Sequence, residues 1–431
     1  MDFASSSHHF GLLGAKLGHS ASPEIHAAFG NPDYRLFEIE EQALPDFLKS
    51  SHLRGLNVTI PYKQTVIPFC ARLSPLAAAI GSVNTLIREN DGSWTGYNTD
   101  AYGLRHMMRL GGLSFAGQRV LVLGNGGVSQ TIQAIAKIDG AASVSVASRR
   151  GALNYTNLSQ CADATLIVNA TPVGMYPNAG ENLVDLRDFP QLQGVAEMIY
   201  NPCRTALMQQ ASALKIPCAG GFPMLVAQAK QAEELFFRTE IGAAEMTRVG
   251  AELQRTCENI VLIGMPGSGK STIGRLLSDL TQRTLIDTDD EIVRKYGKNI
   301  PQIFADDGEA AFRQMEHTVI AEQSQKRGVI LVTGGGAVTT AANESPLRSN
   351  GRIYEISRSI DLLSRQGRPL SQSADLHEMY QKRAPLYAKF SDVTIKNDTA
   401  PEEAAQQIWS DFCAYSRHQW TEPEPAGSAR T

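Results

Sequence analysis

The sequence predicts an α/β chain with parallel sheets, divided into more than one domain. Short apolar runs such as Arg119–Leu123 and Asn259–Ile263 alternate with stretches of helical spacing, which is the pattern of strand–helix–strand units. Two glycine-rich turns, at residues 124–129 and 264–271, each follow such a run and precede a helical stretch. At 431 residues, the chain is also too long for one ordinary domain.

The composition excludes several classes of partner. Charged residues make up 19% of the chain and the net charge is −4, which gives no electrostatic case for nucleic acid. No apolar run reaches the ~18 residues that a bilayer span requires, and no signal peptide is predicted. The six cysteines are dispersed without a C-x-x-C pair, which favours reduced thiols. We expect a cytoplasmic protein without nucleic-acid or membrane partners, and the sequence leaves open a homodimer.

Apolar runs and helical spacing predict the elements in order. In the first part, strands are predicted at 11–13, 34–39 and within 53–60, with helices at 22–28 and 43–50. Later strands are predicted at 119–123, 143–147, 165–169, 259–263, 285–287 and 329–333, and later helices at 130–138, 221–237 and 272–280. Residues 238–257 have a polar, helical pattern and are predicted to be a linker.

The first glycine-rich turn is typical of a dinucleotide site. It reads Gly124-x-Gly126-x-x-Ser129 between a strand and a helix, so free N–H groups and the helix dipole would face a pyrophosphate. The next strand ends in Ser148-Arg149-Arg150, where NAD sites usually carry an acid for the ribose 2′-hydroxyl. Two arginines and a serine suit a 2′-phosphate. NADP is therefore favoured over NAD and over a solvated basic turn.

Polar clusters outside this turn suit a small polyol acid. They comprise residues 19–23, 57–63, 83–85 and 98–100. A bare helix cap at 19–23 would need only one of its two serines. Lys63 and Asp100 are suited to proton transfer beside a hydride acceptor.

Residues 264–271, Gly-Met-Pro-Gly-Ser-Gly-Lys-Ser, form a complete phosphate-binding loop. Lys270 would reach the outer phosphates and the Ser271 hydroxyl would bind Mg²⁺. The other predicted phosphate contacts are Gly267, Gly269 and Thr272. A glycine turn without a ligand would not explain the lysine and the serine together.

Acids, glycines and arginines follow the loop. Asp287 and Asp289 end a strand on one side, where acids normally serve Mg²⁺ or a substrate hydroxyl. Three glycines at 334–336 let a backbone approach a ligand and expose N–H donors. Arginines follow at 313, 365, 368 and 383, and such a set can neutralise phosphates and hold an anionic acceptor.

Residues 10–240 resemble shikimate dehydrogenase, which reduces 3-dehydroshikimate with NADPH. The matching motifs are His19-Ser-Ala-Ser-Pro23, Asn57-Val-Thr-Ile-Pro-Tyr-Lys63, Gly81-Ser-Val-Asn-Thr85, Asn98-Thr-Asp100, Gly124-Asn-Gly-Gly-Val-Ser129, Asn169-Ala-Thr-Pro-Val-Gly174 and Gly221-Phe-Pro-Met-Leu-Val-Ala-Gln228. The resemblance implies that Lys63 and Asp100 are catalytic. It implies that the substrate is bound by Ser20, Ser22, Thr59, Asn84, Tyr200 and Gln228. The implied cofactor residues are Gly124, Gly126, Gly127 and Arg149. Ser148 and Arg150 are added from the basic strand end, where Arg150 replaces the threonine more usual in the family. The short interval between Arg150 and Asn169 predicts a trimmed helix–strand unit.

Residues 259–410 closely resemble shikimate kinase. The resemblance rests on the phosphate-binding loop, the 287–289 acids, Gly308-Glu-x-x-Phe-Arg313, the three glycines and the arginines at 365, 368 and 383. It implies that Asp289 positions the attacking 3-hydroxyl and that Gly335 also contacts shikimate. Arg313 and Arg383 would hold the carboxylate, and Asp287 would support Mg²⁺. Arg368 would be a lid residue near the phosphates, and Arg365 would lie near adenine.

Together these resemblances predict a bifunctional enzyme that makes shikimate with NADPH and phosphorylates it with ATP and Mg²⁺. Its predicted fold is a two-domain dehydrogenase, an α/β substrate domain plus a Rossmann-like NADP domain, followed by a P-loop α/β/α kinase domain. The predicted boundaries are 8–105 for the substrate domain, completed by helix 221–240, 106–220 for the NADP domain, 241–257 for the linker, 258–413 for the kinase domain and 414–431 for a disordered tail. Two alternatives are a first half that prefers quinate or NAD, and a ligand-binding regulator with one inactive module.

Overall fold

The computed structural model describes residues 9–18, 20–50, 52–363 and 376–422. Three separate sheets organise these residues. None of the helices in these ranges combines the length and the apolar content that a bilayer crossing requires.

The first sheet is mixed rather than parallel throughout. Its part of the chain contains β1 (Phe10–Gly14), α1 (Ser22–Ala28), β2 (Arg35–Glu38), α2 (Leu44–Lys49), β3 (Gly55–Val58), β4 (Cys70–Leu73), α3 (Pro75–Ile80), β5 (Thr85–Arg88), β6 (Trp94–Tyr97) and α4 (Asp100–Leu110). The strand order is β2-β1-β3-β5-β6-β4. The first three are parallel, whereas β5 runs antiparallel to β3 and β6. A turn at Asp91-Gly92, with φ of +79° at the glycine, joins β5 to β6.

The second sheet is wholly parallel, as predicted. Its elements are β7 (Arg119–Leu123), α5 (Gly127–Ile138), β8 (Ser143–Ala147), β9 (Leu166–Asn169), β10 (Gly194–Glu197), α6 (Ala206–Ala213) and β11 (Cys218–Ala219). The order is β11-β10-β9-β7-β8. Between β8 and β9 the chain forms turns and a 3₁₀ helix at Leu158–Cys161 rather than an α-helix, which agrees with the short interval noted in the sequence.

The third sheet is also parallel. Its part of the chain contains β12 (Asn259–Ile263), α9 (Lys270–Thr281), β13 (Leu285–Asp287), α10 (Thr288–Tyr296), α11 (Ile300–Asp306), α12 (Gly308–Gln323), β14 (Ile330–Val332), α13 (Glu344–Asn350), β15 (Gly351–Ser357), α14 (Leu376–Phe390), β16 (Val393–Lys396) and α15 (Pro401–His418). The order is β13-β14-β12-β15-β16. Every residue of β12 is buried, because helices cover both faces of such a sheet. The carboxyl ends of β12, β13 and β14 therefore share one edge, where ligands bind in this architecture.

Two helices connect the second and third sheets: α7 (Gly221–Phe237) and α8 (Ala243–Cys257). The first packs tightly on α4, since a Cβ at Gly103 would lie 2.5 Å from the Met224 carbonyl oxygen. The second corresponds to the predicted polar linker, but its inner face is buried through Met246, Val249 and Leu253. The segment is therefore a packed amphipathic helix, and the polar residues seen in the sequence occupy its outer face.

The prediction of a disordered tail over 414–431 is wrong for the residues up to 422. Helix α15 continues to His418, and Trp420 is only 3% exposed. Its indole covers Gly250, where a Cβ would lie 2.3 Å from the ring, and its Nε1 donates to Gln254 Oε1 at 2.8 Å. Burial of the Trp420 side chain outweighs the disorder that the composition of the tail predicts. Residues 423–431 lie outside the described ranges.

Replacing Trp420 by alanine is expected to destabilise the protein by about 3 kcal/mol or more, because a buried indole is removed and a cavity is left over α8. Urea unfolding followed by circular dichroism measures the loss as a lower midpoint. The exposed His418 is the matched control, and His418→Ala should change stability by less than about 0.5 kcal/mol. Equal, small effects of both variants would contradict the packing described.

Candidate functional site

A cavity of about 350 Å³ lies between the carboxyl ends of β1 and β3 and the start of α5 and α7. The polar side chains predicted for substrate and catalysis in the first half all line it: Ser20, Ser22, Thr59, Lys63, Asn84, Asp100, Tyr200 and Gln228. Apolar atoms of Leu12, Val58 and Met224 complete the wall. His19 of the first motif lies outside the described residues. The cavity can therefore hold a small ligand that carries several hydroxyls.

An ion pair lies on one wall of this cavity. Lys63 Nζ donates to Asp100 Oδ2 at 2.6 Å, and the two side chains are 23% and 11% exposed. Asp100 is the first residue of α4, where the helix dipole favours a carboxylate. The carbonyl of Lys63 accepts from the Val83 N–H at 2.8 Å, which fixes the backbone. Such a pair can hold and move a proton at a group bound within hydrogen-bond reach.

The neutral polar groups of the cavity are oriented by hydrogen bonds. Asn84 donates from Nδ2 to Thr99 Oγ1 at 3.1 Å and accepts the Thr99 N–H at 2.6 Å. Ser20 Oγ donates to Ser22 Oγ at 3.1 Å. Gln228 Nε2 donates to a carbonyl of its own helix, that of Leu225, at 2.9 Å. These contacts preorganise the donors and acceptors before a ligand arrives.

One cavity residue received no separate role from the sequence. Asn57 lines the cavity, accepts from the Tyr34 hydroxyl at 2.8 Å and donates to Thr85 Oγ1 at 3.1 Å. It lies two positions before Thr59 and therefore on the same side of an extended strand. That spacing is the signal by which it could have been found.

A second cavity, of about 910 Å³, lies beside the first glycine-rich turn. Gly124 has φ of +103°, a conformation that strongly favours glycine, and the space beside Gly126 and Gly127 is open. The wall contains the predicted residues Gly124, Gly126, Ser148, Arg149 and Arg150. Gly127 instead lines the first cavity. The two cavities therefore lie on either side of the start of α5, with Gly126 in the wall of one and Gly127 in the wall of the other.

The basic end of the second cavity is solvent-accessible. Arg149 and Arg150 are exposed at its rim, and an exposed guanidinium can bind a phosphate through two parallel hydrogen bonds. Tyr155 also lines the wall and was not predicted from the sequence. Glycine N–H groups at one end and guanidinium groups at the other fit a dinucleotide that carries an additional phosphate.

The phosphate-binding loop has the predicted strand–turn–helix context between β12 and α9. Gly264, Gly267 and Gly269 have φ of +141°, +87° and +98°, so each is in a conformation that favours glycine. Lys270 Nζ donates to the carbonyls of Gly264 and Met265 at 2.8 and 3.0 Å, and Thr272 follows in the first turn of α9. The loop therefore wraps around the Lys270 ammonium group, which can exchange its hydrogen bonds to these carbonyls for hydrogen bonds to phosphate oxygens.

Two acids lie at the end of β13 beside this loop. Asp287 Oδ2 accepts from Ser271 Oγ at 3.1 Å, and its Oδ1 accepts the Asp289 N–H at 3.0 Å. Burial raises the pKa of Asp287. Burial, together with the charges of Asp287 and Glu316, raises the pKa of Asp289 to about 7. Asp289 Oδ1 is buried without a hydrogen-bond partner among the described residues, which fits a ligand hydroxyl as its donor.

The three glycines after β14 meet the predicted arginines. A Cβ at Gly334 would lie 2.7 Å from Asp289 Oδ1, and one at Gly336 would lie 2.4 Å from Arg313 Nη2. Arg383 Nη1 donates to the Gly335 carbonyl at 3.1 Å. The guanidinium groups of Arg313 and Arg383 and the carboxylate of Asp289 therefore meet at the glycine backbone. The guanidinium groups suit an anion and the carboxylate suits a hydroxyl, so the site fits an anionic alcohol. Arg365 and Arg368 lie outside the described residues.

Three supporting residues in this half received no role from the sequence. Glu316 is fully buried and accepts from Arg313 Nη1 at 2.7 Å. The Tyr387 hydroxyl donates to the Gly335 carbonyl at 2.5 Å, and Asn397 Nδ2 donates to the Ser268 carbonyl at 2.7 Å. Glu316 lies three residues after Arg313 on the same helix face, which is a usable signal. Asn397 follows a strand far along the chain and gives no local signal.

Mg²⁺ would need ligands from outside the protein. Within the part of the chain that the structure describes, no group of three or more His, Cys, Asp or Glu side chains could hold a metal ion. Ser271 and Asp287 lie side by side instead. This fits Mg²⁺, which usually takes one or two protein oxygens and completes its shell with waters and substrate phosphates.

Family models match both parts of the chain. The model described as shikimate dehydrogenase substrate binding domain matches residues 12–86, and the model described as shikimate kinase matches residues 266–412. Among curated relatives, the shikimate dehydrogenase (NADP(+)) of Clostridium perfringens strain SM101 is 32% identical over 57% of this chain and 98% of its own length. The shikimate kinase of Thiobacillus denitrificans is 42% identical over 34% of this chain and 85% of its own length.

Solved structures match the first part of the fold. A chorismate mutase/shikimate 5-dehydrogenase fusion protein from Clostridium acetobutylicum is 31% identical, with a TM-score of 0.53, over 57% of this chain and 96% of its own. A shikimate 5-dehydrogenase from Listeria monocytogenes, in complex with shikimate and NAD, is 26% identical with a TM-score of 0.51. It covers 58% of this chain and 98% of its own.

Proposed function

The chain belongs to the shikimate dehydrogenase family through its first part and to the shikimate kinase family through its last, and from this premise we propose how its residues perform two successive reactions. The enzyme reduces 3-dehydroshikimate to shikimate with NADPH and converts shikimate to shikimate 3-phosphate with ATP. The observation that supports the residue assignment is the presence of two polar sites among the described residues, one around Lys63 and Asp100 and one around Lys270 and Asp289.

In the reductive step, Lys63 donates a proton to the ketone oxygen, and Asp100 holds the ammonium group in place. Ser20 and Ser22 bind the substrate carboxylate, whereas the ring hydroxyls are bound by Thr59, Asn84 and Gln228, with Tyr200 beside them. NADPH, when bound, supplies the hydride. Its cavity lies next to the substrate cavity at the start of α5, where Gly126 lines one and Gly127 the other, so the two reactants can be held side by side.

Replacing Arg149 by alanine is expected to raise the KM for NADPH by about 10- to 100-fold, because a charge-assisted contact to the 2′-phosphate is lost. The KM for NADH should change little, since NADH lacks that phosphate. Initial rates with each cofactor measure the difference. Arg35, an exposed arginine paired with Asp33, provides the matched control Arg35→Ala. Equal changes for both cofactors in Arg149→Ala would contradict the assignment.

In the phosphorylation step, Arg313 and Arg383 hold the shikimate carboxylate beside Gly335. Asp289 accepts a hydrogen bond from the 3-hydroxyl and aligns its oxygen on the terminal phosphorus of ATP. The new O–P bond forms as the bond to ADP breaks, and the proton of the 3-hydroxyl passes to the Asp289 carboxylate. Lys270 neutralises the charge that develops on the phosphates. Ser271 and Asp287 hold Mg²⁺, which when bound neutralises further phosphate charge.

A single reaction tests both activities. Purified chain is given 3-dehydroshikimate, NADPH, ATP and Mg²⁺, while NADPH absorbance and product mass are recorded together. We expect NADPH loss and a mass for shikimate 3-phosphate. NADPH loss with shikimate as the final product would refute the kinase assignment. No NADPH loss with 3-dehydroshikimate, but turnover with quinate and NAD, would refute the substrate assignment.

The broader setting is part of the same proposal. We place the enzyme in the cytoplasm, acting on small molecules, and this is supported by six cysteines that are all free. A homodimer and the domain boundaries given above, apart from that of the tail, stay predictions. Light scattering on the purified chain tests the first, and limited proteolysis tests the second.

A further inference from the structure

A short loop connects the shikimate cavity, which is the 350 Å³ cavity around Lys63 and Asp100, to the kinase half of the chain. The kinase half comprises the described residues from 258 onward. This junction loop, residues 199–205, follows β10 and precedes α6. Near its start, Tyr200 lines the shikimate cavity. Near its end, Cys203 and Arg204 contact residues of the kinase half. Only two residues, Asn201 and Pro202, therefore separate a wall of one active site from an interface between the two halves.

Arg204 is bound almost entirely by the kinase half. Its Nε donates to the Arg348 carbonyl at 2.9 Å and its Nη2 to the Gly351 carbonyl at 2.5 Å. Its backbone N–H donates to the Ser349 carbonyl at 2.8 Å, and Nη1 reaches the Tyr415 hydroxyl at 3.5 Å. These acceptors lie at the end of α13, the start of β15 and on α15. The planar guanidinium thus matches carbonyls that only the folded kinase half can present.

Neighbouring contacts hold the same interface. Asn350 is fully buried; its Oδ1 accepts the Cys203 N–H at 2.9 Å, and its Nδ2 donates to the Tyr176 hydroxyl at 3.3 Å. Gln209 Nε2 donates to the Ser345 carbonyl at 3.2 Å. Asn350 therefore satisfies polar groups of the first half from within the kinase half.

Both ends of the junction loop are also held by contacts inside the first half. The buried carboxylate of Glu197 accepts the Ile199 N–H at 3.1 Å and the Thr205 hydroxyl at 2.9 Å. The Ile199 carbonyl accepts the N–H of Gly221, a residue that also lines the cavity, at 3.3 Å. With both ends tied to one carboxylate, the loop has little freedom, and a shift at Arg204 must be absorbed near Tyr200.

The apolar cluster against which Tyr200 packs includes a residue of the kinase half. Tyr200 packs against a cluster that unites Phe222 and Val226 of α7 with Val249 of α8 and with Trp420. The same cluster supports Leu225, another residue of the cavity wall. Polar and apolar contacts from the second half therefore reach the same side of the shikimate cavity.

We propose that the kinase half positions the substrate cavity of the dehydrogenase half, and that Arg204 is the positioning residue that couples them. The kinase half acts here as a fixed support and not only as a second catalyst. Through the junction loop it sets the place of Tyr200 and so the affinity for 3-dehydroshikimate. This inference rests on the substrate cavity assigned above.

The test uses the full chain with one substitution on each side of the interface, Arg204→Gln and Asn350→Ala. Each is expected to raise the KM for 3-dehydroshikimate by about tenfold, because coupling of this kind acts on binding of the substrate. The KM for NADPH and the rate of shikimate phosphorylation should change by less than about twofold. Arg204→Lys, which keeps one charged donor, should recover part of the affinity. Arg187→Gln, at an exposed arginine paired with Asp185, is the control.

The decisive variant is Asn350→Ala, because it lies in the kinase half and leaves the loop sequence intact. If both variants fold and the KM for 3-dehydroshikimate stays at the wild-type value, the proposal is wrong. It is also wrong if the KM values for both dehydrogenase substrates rise together, since that indicates general loosening. If Arg204→Gln fails to fold, Asn350→Ala alone decides. A misassigned cavity would appear separately, as normal reduction by a Lys63 variant.

Discussion

Replacing Lys63 by methionine is expected to lower the kcat for reduction of 3-dehydroshikimate by about 10³-fold, because the proton donor to the ketone oxygen is lost. Methionine keeps the length of the side chain without its charge, so the cavity wall beside Asp100 is preserved. Shikimate phosphorylation by the same preparation should continue at the wild-type rate. NADPH oxidation and ADP release, measured on one sample, give both numbers.

The control for this variant is Lys49→Met. Lys49 is 76% exposed and pairs with Asp46 on the surface of the same half, so its loss should leave both activities unchanged. Reduction at more than about a tenth of the wild-type rate in Lys63→Met would exclude Lys63 as the proton donor. Parallel loss of both activities would show instead that the two halves cannot be assigned separate chemistry.

Replacing Lys270 by methionine should have the reverse effect. The rate of shikimate phosphorylation is expected to fall by about 10²- to 10³-fold, because one preorganised positive charge is removed from the transferring phosphate. Reduction of 3-dehydroshikimate should be unaffected. Mass spectrometry of the coupled reaction should then find shikimate accumulating in place of its phosphate.

Lys298 offers a comparison within the same half. It is 40% exposed and forms ion pairs with Asp306 and Asp307, away from the phosphate-binding loop. Lys298→Met should phosphorylate shikimate at the normal rate. If Lys270→Met did the same, the loop at 264–271 would not be the site of ATP.

Much of the candidate site could be predicted because its residues lie at strand ends that share one edge of a sheet. Lys63 follows β3 and Asp100 opens α4, and the sheet brings them to one edge despite a sequence separation of 37 residues. The glycine turns are local signals of the same kind, since φ values such as +103° at Gly124 restrict the residue type. At these positions the sequence motif, the strand before it and the helix after it all indicated the same local structure.

The contacts between distant parts of the chain could not be predicted in this way. Asn397 reaches the phosphate-binding loop from the end of β16, and Arg204 reaches carbonyls of α13 and β15. Neither contact has a periodic pattern, because its partner is chosen by the packing of whole sheets. The tail was misjudged for the same reason: Trp420 is held by Gly250 and Gln254 rather than by its sequence neighbours.

The position of Trp420 has a consequence for the order in which the protein matures. The ribosome synthesises Gly250 and the rest of α8 long before it synthesises Trp420, whose indole covers Gly250. During that interval α8 presents an apolar face to water, and a nascent chain in this condition is exposed to aggregation and to capture by chaperones. Tyr200 packs on the same cluster. The apolar cluster behind the site that acts first in the reaction sequence is therefore completed only when the residues near 420 have been synthesised.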